Sequence, residues 1–439
     1  MFRSFAVANY RWWFAGALVS NVGTWMQRIA QDWLVLTQLT SNDATAVGVT
    51  MALQFGPQLL LLPITGLVAD RYDRRKVLLV TQVSMALLAL GLGVITLLGI
   101  VQLWMVFGFA LGLGVAAAFD APARQAFVSQ LVPRTYLANA VGLNSASFNG
   151  ARLIGPAIAG LLVAAVGAGW VFIINALTFG AVIGALLALR TSEFEPYTRP
   201  PRAKHQIREG WQYTRRRSDI VLIFVMVFIV GTFGFNFPIY TSTMARVEFG
   251  IGADGFGILS SVLAIGSVAG ALLAARREHP RLRTITIASG AFGVALLAAA
   301  LAPTVWAYGA VLVVVGFCSL SMMTTANAYV QTTTAPAMRG RVMALYLAIF
   351  VGGTPIGAPL VGWVADTFGP RWAIGVGALS GLVAAGVAII WYARTRQVRV
   401  HFTRDGWWPL TLSYGAEVAD AREQATREIA IVEAETQRS

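Results

Sequence analysis

Charged and polar side chains inside an apolar stretch near the N-terminus carry the strongest chemical signal in the sequence. Arg28 and Asp32 are one helical turn apart, and Asn21 and Trp25 continue the same stripe at spacings typical of one helix face. Because a charge deep in a lipid bilayer is costly, such residues are candidates for function by default. The stripe therefore predicts a proton or substrate site that faces the interior of a helix bundle.

A second cation in an apolar stretch, Arg152, leaves two arginines for the single acid of the stripe. We therefore expect one positive charge to need a partner, either Asp120 or an anionic group of a substrate. The first hypothesis for proton coupling is that Asp32 gains and loses the proton while Arg28 and Arg152 modulate its pKa. A static Arg28–Asp32 ion pair is the competing interpretation, and Asp120 is the second candidate for the proton site.

Neutral polar residues in the second part of the chain are candidates for a substrate cavity. Together with two members of the N-terminal stripe, the candidate cavity residues are Asn21, Trp25, Asn236, Tyr240, Asn327 and Gln331. Hydrogen bonds between packed helices are the more common explanation for such residues in membrane proteins, so both interpretations stay open. The aromatic residues, 11% of the chain, suit a bulky amphipathic substrate.

The elements that hold these residues are predicted from the spacing of charges. The chain is 57% hydrophobic and 12% charged, with a mean hydropathy of +0.67. A helix needs roughly 20 apolar residues to cross a bilayer. The charge-free gaps therefore predict an all-α integral membrane protein with twelve transmembrane helices, at 12–36, 46–68, 77–98, 102–122, 137–166, 170–190, 219–244, 255–275, 284–302, 305–327, 341–365 and 372–394.

The basic residues predict the orientation of these helices, because basic loops stay in the cytoplasm. With the N-terminus inside, every Lys and Arg falls in a cytoplasmic segment except Arg28, Arg152, Arg246 and Arg371. Both termini are therefore expected to be cytoplasmic. The net charge of +13 flanks the membrane and does not gather on one binding face, so no nucleic-acid partner is predicted.

A stretch rich in proline and basic residues divides the predicted helices into two groups of six. We expect an N-terminal bundle over residues 1–190, a cytoplasmic linker over 191–218, a C-terminal bundle over 219–395 and a cytoplasmic tail over 396–439. Residues 207–217 suit a short helix on an anionic membrane surface, and a plain linker is an equal alternative. In the tail, residues 416–435 predict a solvated helix.

The two groups of helices also resemble each other in sequence. A shift of 202 residues places Gly155, Gly160, Gly167 and Trp170 on Gly357, Gly362, Gly369 and Trp372. Internal repeats of this kind are typical of transporters, whose substrate sites lie between the repeats. The sequence therefore predicts a duplicated bundle.

The segment between predicted helices 2 and 3 combines a glycine, an acid–arginine pair and a basic cluster: Gly66, Asp70, Arg71, Asp73, Arg74 and Arg75. An acid at a helix end can be held ionised by arginines and can attract the positive N-terminus of another helix. We expect such a contact to favour one conformation. The run resembles the loop signature of the major facilitator superfamily, and Asp73 stands where that family usually has glycine.

A second signature, Gly155-Pro156-Ala-Ile-Ala-Gly160, follows Arg152 in predicted helix 5. It resembles the antiporter motif of drug/proton exchangers in the same superfamily. The runs around Asp120 and Glu209 resemble its bacterial branch of siderophore and macrolide exporters. Over residues 5–395, the resemblance implies two six-helix pseudo-repeats in the bacterial inner membrane and alternating access. It also implies efflux of a small amphipathic molecule (a drug, macrolide or siderophore) by proton antiport, with a role in multidrug resistance.

Other functions are weighed against this one. Proton-coupled import of a small metabolite and a sensory or scaffolding role through the tail stay open, as does sodium in place of the proton. No enzyme is predicted, because His205, His279 and His401 pair with no nucleophile. The single cysteine, Cys318, and the lack of a Walker motif predict no metal and no cofactor. The expected partners are substrate and membrane lipid, and a monomer is the default for this fold.

Overall fold

The computed structural model describes residues 3–195, 206–276, 280–395, 399–402 and 410–413. After a 3-10 turn at Arg3–Ala6, the N-terminal half forms α1 (Ala8–Leu34), α2 (Ala44–Leu60), α3 (Leu62–Arg71), α4 (Arg74–Leu97), α5 (Leu103–Leu131), α6 (Arg134–Val166) and α7 (Ala168–Ala188). A short helix, α8 (Gln206–Arg215), precedes the C-terminal half. That half forms α9 (Ser218–Ile229), α10 (Phe237–Thr243), α11 (Ala253–Ala275), α12 (Leu282–Ala300), α13 (Val305–Thr333), α14 (Pro336–Phe368) and α15 (Pro370–Thr395).

The apolar composition of these helices explains why they form a membrane bundle. Among the described residues, ten helical segments are long and apolar enough to cross a membrane. α1 and the α2–α3 pair are not among the ten, because α1 carries Arg28 and Asp32 and because Leu61 divides α2 from α3. With these two passes added, the bundle is consistent with the predicted twelve crossings, and the predicted all-α membrane fold is confirmed.

Two helix pairs correspond in length between the two halves. α5 and α13 both have 29 residues, and α6 and α14 both have 33 residues. α6 ends at Gly167 with φ of 83°, and α14 ends at Gly369 with φ of 99°. Only glycine adopts such backbone angles without strain, which explains why both helices stop at a glycine.

Exposed tryptophans mark one end of the bundle. The first turns of α5, α7, α13 and α15 carry Trp104, Trp170, Trp306 and Trp372, each at least half exposed. Tryptophan is enriched where a membrane meets water. We call this end the opposite face, and we call the other end, which carries the loop between α3 and α4, the basic face.

Within each half, helices distant in sequence pack side by side. α1 packs on α6 and α7, and α12 packs on α13 and α15. The halves meet along two helix pairs, α2 with α14 and α6 with α11. These two pairs form the seam between the halves.

The predicted helix at 219–244 is not continuous, which corrects the prediction. α9 ends at Ile229, a π-helical turn follows at Val230–Gly234, and Asn236 is outside the helical region. α10 then starts with Pro238 in its first turn, where the missing backbone N–H does no harm. The chain widens again into a π-helical turn at Met244–Glu248.

The predicted tail contains a β-hairpin that was not predicted from the sequence. β1 (Arg399–Phe402) pairs antiparallel with β2 (Leu410–Ser413), with Arg399 opposite Ser413. The alternation of apolar and polar residues in both segments has the period of a strand. The predicted tail helix at 416–435, linker residues 196–205 and His279 lie outside the described residues.

The short helix predicted at 207–217 is α8, and it packs against the C-terminal half. Glu209 forms an ion pair with Arg341 of α14, and Gly210 lies against the same side chain. The Tyr213 hydroxyl accepts a hydrogen bond of 3.2 Å from the backbone N–H of Ala335. α8 is therefore tied to the start of α14 by specific contacts.

Candidate functional site

Two arginines from different helices flank one tryptophan in the interior of the N-terminal half. The guanidinium carbon of Arg28 lies 5.1 Å from the centre of the Trp25 ring and 4.5 Å from that of Phe55. Arg152 of α6 lies 5.6 Å from the Trp25 ring. Phe148, one turn from Arg152, makes an edge contact with Trp25 at 5.8 Å. Two cations and three aromatic rings thus form a central cluster.

A glycine allows the two helices to come this close. A Cβ atom on Gly155 would lie 2.6 Å from the Cβ of Trp25. Any larger residue would therefore push α6 away from α1 and separate Arg152 from the tryptophan. The predicted antiporter-like motif, with Pro156 inside α6, starts at the point where the cluster is assembled.

Asp32 lies one turn beyond Arg28 and is 2% exposed. Its Oδ1 atom has no hydrogen-bond partner, and neither has the Nε atom of Arg28. Among the ion pairs of the described residues, none joins Arg28 to Asp32 within 4 Å. A buried ionised group without a partner is costly. The cluster therefore ends in a carboxyl group with one unpartnered oxygen, one turn from Arg28, in place of a closed ion pair.

Other polar side chains near Asp32 on α1 are satisfied. Gln31 donates to the carbonyl of Val106 at 3.2 Å and accepts a weak contact from Gln54 at 3.4 Å. The next residue, Trp33, stacks on Phe256 of α11 at 5.2 Å between ring centres. Asp32 thus lies directly beside a contact between the two halves.

The second candidate acid, Asp120, has a different environment. Its Oδ2 atom forms an ion pair of 2.8 Å with Arg124, one turn along α5. Its Oδ1 atom accepts hydrogen bonds from Thr81 at 2.9 Å and Gln82 at 2.7 Å. Both oxygens of Asp120 are therefore engaged by its own neighbours, and its ion pair is with Arg124 in place of Arg152.

The candidate cavity residues divide into two groups. Asn21 donates to Ser147 at 3.2 Å, on the same face of α1 as Trp25. Gln331 is exposed and donates to Asn327 at 2.6 Å. The side chains of Asn21, Asn327 and Gln331 are therefore at least partly exposed.

Asn236 and Tyr240 are buried instead. The Asn236 amide donates to the carbonyl of Thr232 at 2.8 Å, and the Tyr240 hydroxyl donates to the carbonyl of Phe233. Both side chains bond to backbone carbonyls freed by the interruption between α9 and α10. In this conformation they stabilise the broken helix and do not face open space.

The loop between α3 and α4 is bound to the rest of the N-terminal half. Asp73 caps α4 by accepting from the backbone N–H of Lys76 at 3.1 Å. Arg74 donates to the carbonyl of Ala126 at 2.9 Å, and Arg75 donates to that of Leu186 at 2.8 Å. Asp73, the departure from the usual glycine, thus serves as a helix cap. Gly66 and Asp70 lie within α3, and Arg71 ends that helix with an exposed side chain.

The halves touch near the opposite face. A Cβ on Gly160 would lie 2.3 Å from the Cα of Gly257, and one on Gly48 would lie 2.3 Å from the carbonyl of Ala358. The seam between the halves is therefore closed at the opposite face.

One contact of this seam was not anticipated from the sequence. Asp366, in the last turn of α14, accepts hydrogen bonds from the backbone N–H groups of Ala44 and Thr45, both at 2.7 Å. The sequence contains a signal that would have drawn attention to it. Gly362-Trp-Val-Ala-Asp366 repeats the pattern of Gly66-Leu-Val-Ala-Asp70 at the end of another helix.

Comparisons with known proteins agree with this architecture. The family model described as transmembrane secretion effector matches residues 1–410. A staphyloferrin A transporter of Staphylococcus aureus is 25% identical over 89% of this chain and 97% of its own length. An enterobactin exporter of Shigella flexneri is 26% identical over 81% of this chain and 85% of its own length.

Solved structures share the fold. A POT family transporter in complex with 5-aminolevulinic acid has a TM-score of 0.70, covering 88% of this chain and 96% of that one, at 14% identity. Identity this low carries an argument about the fold alone. The family match, which extends over most of the chain, is decisive: the protein belongs to the transmembrane secretion effector family of major facilitator superfamily transporters, and it is a multi-pass membrane transporter, not an enzyme.

Proposed function

We propose that this protein exports a small siderophore-like molecule by proton antiport, through alternating access of one central site. One structural observation carries the proposal: a buried carboxyl group, Asp32, has an unpartnered oxygen one helical turn from Arg28 of the central cluster. The relatives indicate the substrate class, since one is a staphyloferrin A transporter and the other an enterobactin exporter. Drugs and macrolides are the wider set of amphipathic molecules to test.

Antiport requires that proton and substrate compete for one group. A substrate that donates a hydrogen bond to ionised Asp32 occupies the oxygen that a proton would take, so binding of one releases the other. Arg28 and Arg152 favour the ionised carboxylate while the substrate is bound. The rings of Trp25 and Phe148 provide apolar surface for the rest of an amphipathic molecule.

The basic residues assign the two faces to the two sides of the membrane. We place the basic face and both termini in the cytoplasm, because basic loops are retained there. The seam that is closed in the structure would then face the outside, and substrate would enter from the cytoplasm. In this conformation the cluster takes up substrate from the cytoplasm, and a proton that arrives after the seam opens outside displaces it.

Purified protein in liposomes with an imposed pH gradient tests the proposal, with enterobactin, staphyloferrin A and a macrolide as substrates. Native protein is expected to move at least one of these substrates in the direction opposite to the flow of protons down the imposed gradient. Asp32→Asn is expected to bind substrate and to exchange it, but to lose accumulation driven by pH. Asp254→Asn, the same change at an exposed acid of α11, is the matched control.

Three results would each contradict a part of the proposal. If substrate and protons move in the same direction, the protein is a symporter and the import alternative replaces export. If Asp32→Asn retains pH-driven accumulation, the proton site is not Asp32. If a sodium gradient drives transport and a pH gradient does not, proton coupling is wrong.

A further inference from the structure

We infer that Asp366 is a positioning residue of the transport cycle, whose carboxylate holds the two halves together at the opposite face by capping α2 from across the seam. The inference deepens the proposed function and rests on its alternating-access step. Asp366 belongs to the C-terminal half, and α2 belongs to the N-terminal half. The contact therefore exists only while this face is closed.

The geometry is that of a helix cap supplied by another part of the chain. The first N–H groups of a helix have no partner within the helix. On α2, those of Ala44 and Thr45 donate to the two oxygens of Asp366, and the Thr45 hydroxyl adds a bond of 2.5 Å. The next N–H, that of Ala46, donates to Asp43 at 2.8 Å. Two acids share the cap, and only Asp366 spans the seam.

Asp366 does not stabilise its own helix, α14. An acid in the last turn of a helix lies at the negative end of that helix dipole, which disfavours the ionised form. The positive end of α2 compensates for this position only while the two helices are in contact. Asp366 is thus destabilising for α14 alone and stabilising for the closed pair.

Glycines bring the two backbones close enough for this cap. A Cβ on Gly362, one turn before Asp366, would lie 2.3 Å from the carbonyl of Ala44. A Cβ on Gly48, one turn into α2, would meet Ala358 equally closely. Both helices therefore have a glycine one turn from the capped end, and the carboxylate reaches the first turn of α2 directly.

From the sequence, the acid at the basic face, Asp70, was predicted to attract the positive N-terminus of another helix. Asp70 and Asp366 end the same Gly-x-Val-Ala-Asp pattern, in helices that run towards opposite faces. Asp366 makes this kind of contact in the present conformation. The closed state is therefore stabilised by the contact as well as by packing along the seam.

Spin labels that measure the distance across each face test the inference in lipid nanodiscs. Labels on Leu98→Cys and Trp306→Cys, both exposed, report on the opposite face, in a Cys318→Ser background. Labels on Tyr72→Cys and Arg339→Cys report on the basic face. We expect Asp366→Ala to lower the ratio of closed to open opposite faces about tenfold. Asp366→Asn, which keeps one acceptor oxygen, should fall between this variant and the native protein.

The control is Asp43→Ala, which removes the other acceptor from the same helix end without crossing the seam. It should leave the distance distributions unchanged. The inference is overturned if Asp366→Ala resembles the native protein, or if Asp43→Ala shifts the distances as much, because the effect would then be local fraying of α2.

Failure of the proposed function would give a different result. A protein that transports nothing, yet opens at the opposite face on Asp366→Ala, supports the contact and contradicts the transport proposal. A protein whose distances alternate with pH in native form and identically in Asp366→Ala supports alternating access and contradicts the role of Asp366.

Discussion

The two halves of the bundle share the lengths of two helix pairs but differ in their buried charges. Among the residues that the structure describes, the buried charged side chains are Arg28, Asp32, Arg74 and Asp120, all before residue 190. In the described C-terminal half, the buried polar side chains are neutral, and several of them bond to backbone carbonyls of their own helix.

This difference separates two tasks that a transporter must perform. A charged group in a membrane interior is retained at a cost and marks the part of the molecule that binds ions or polar substrate. The C-terminal half instead supplies a broken helix and close glycine contacts. Under the proposed function, the N-terminal half would hold the proton and the C-terminal half would move against it.

The comparison also applies within the N-terminal half, and here the largest effect on stability is expected. Asp120→Asn leaves Arg124, largely buried, without its counter-ion, so we expect the free energy of unfolding to fall by about 3 kcal/mol. Chemical unfolding in detergent micelles, followed by circular dichroism, measures this change.

Asp32→Asn is the matched variant, because it makes the same substitution at a buried acid that has an unpartnered oxygen. Its free energy of unfolding should change by less than about 1 kcal/mol in either direction. Equal losses in the two variants would mean that Asp32 is as firmly paired as Asp120, and the distinction between structural and functional acids would be wrong.

Two glycines that correspond under the internal repeat give the next largest effect. A Cβ on Gly357 would meet the carbonyl of Thr232, whereas one on Gly155 would meet the side chain of Trp25. Gly357→Ala should therefore destabilise the C-terminal half by about 2 kcal/mol through overpacking against the broken helix. Gly155→Ala should cost less stability but should weaken substrate binding, because it displaces Trp25 from Arg152.

Thermal unfolding and substrate binding, measured on both variants, separate these outcomes. Gly142→Ala, at a position with open space, is the control for the loss of glycine itself. If Gly357→Ala changes the free energy of substrate binding by more than the free energy of unfolding, Gly357 contributes to the substrate site. The proposed difference between the halves would then be wrong.

The sequence predicted the helices well because bilayer thickness limits where charges can lie. Gaps between charges located the ten helical segments that are long and apolar enough to cross a membrane, and the repeat aligned Gly167 with Gly369, which end α6 and α14. The spacing of Arg28 and Asp32 identified the polar face of α1. The ion pair of Asp120 with Arg124 was not predicted, although the spacing of four residues on one helix favours it.

Contacts between distant helices could not be read in this way. The cap on α2 joins residues 321 apart, Thr45 and Asp366, and no local pattern fixes such a pairing. Asn236 and Tyr240 show the converse, because their polar groups suggested a cavity but bond to carbonyls released by an interrupted helix. The interrupted segment packs against α14, where a Cβ on Gly357 would meet the carbonyl of Thr232, and the sequence of one helix does not specify this contact.

The smallest expected effect concerns whether α8 belongs to the C-terminal half. Its contact through Glu209 and Arg341 is an ion pair with both side chains partly exposed, so Glu209→Gln should weaken docking by about 0.5 kcal/mol. Hydrogen exchange of the amides of residues 208–215 should then quicken about twofold. High salt should produce the same change in the native protein, because it screens exposed charges.

Glu193→Gln is the matched control, since Glu193 forms its ion pair with Arg190 inside the N-terminal half. It should leave the exchange of α8 unaltered. If Glu209→Gln has no effect and salt has none either, apolar contacts and the Tyr213 hydrogen bond hold α8, and the ion pair contributes nothing. If hydrogen exchange also quickens in α7, loss of the ion pair affects the N-terminal half as well. In that case α8 connects the two halves and does not belong to the C-terminal half alone.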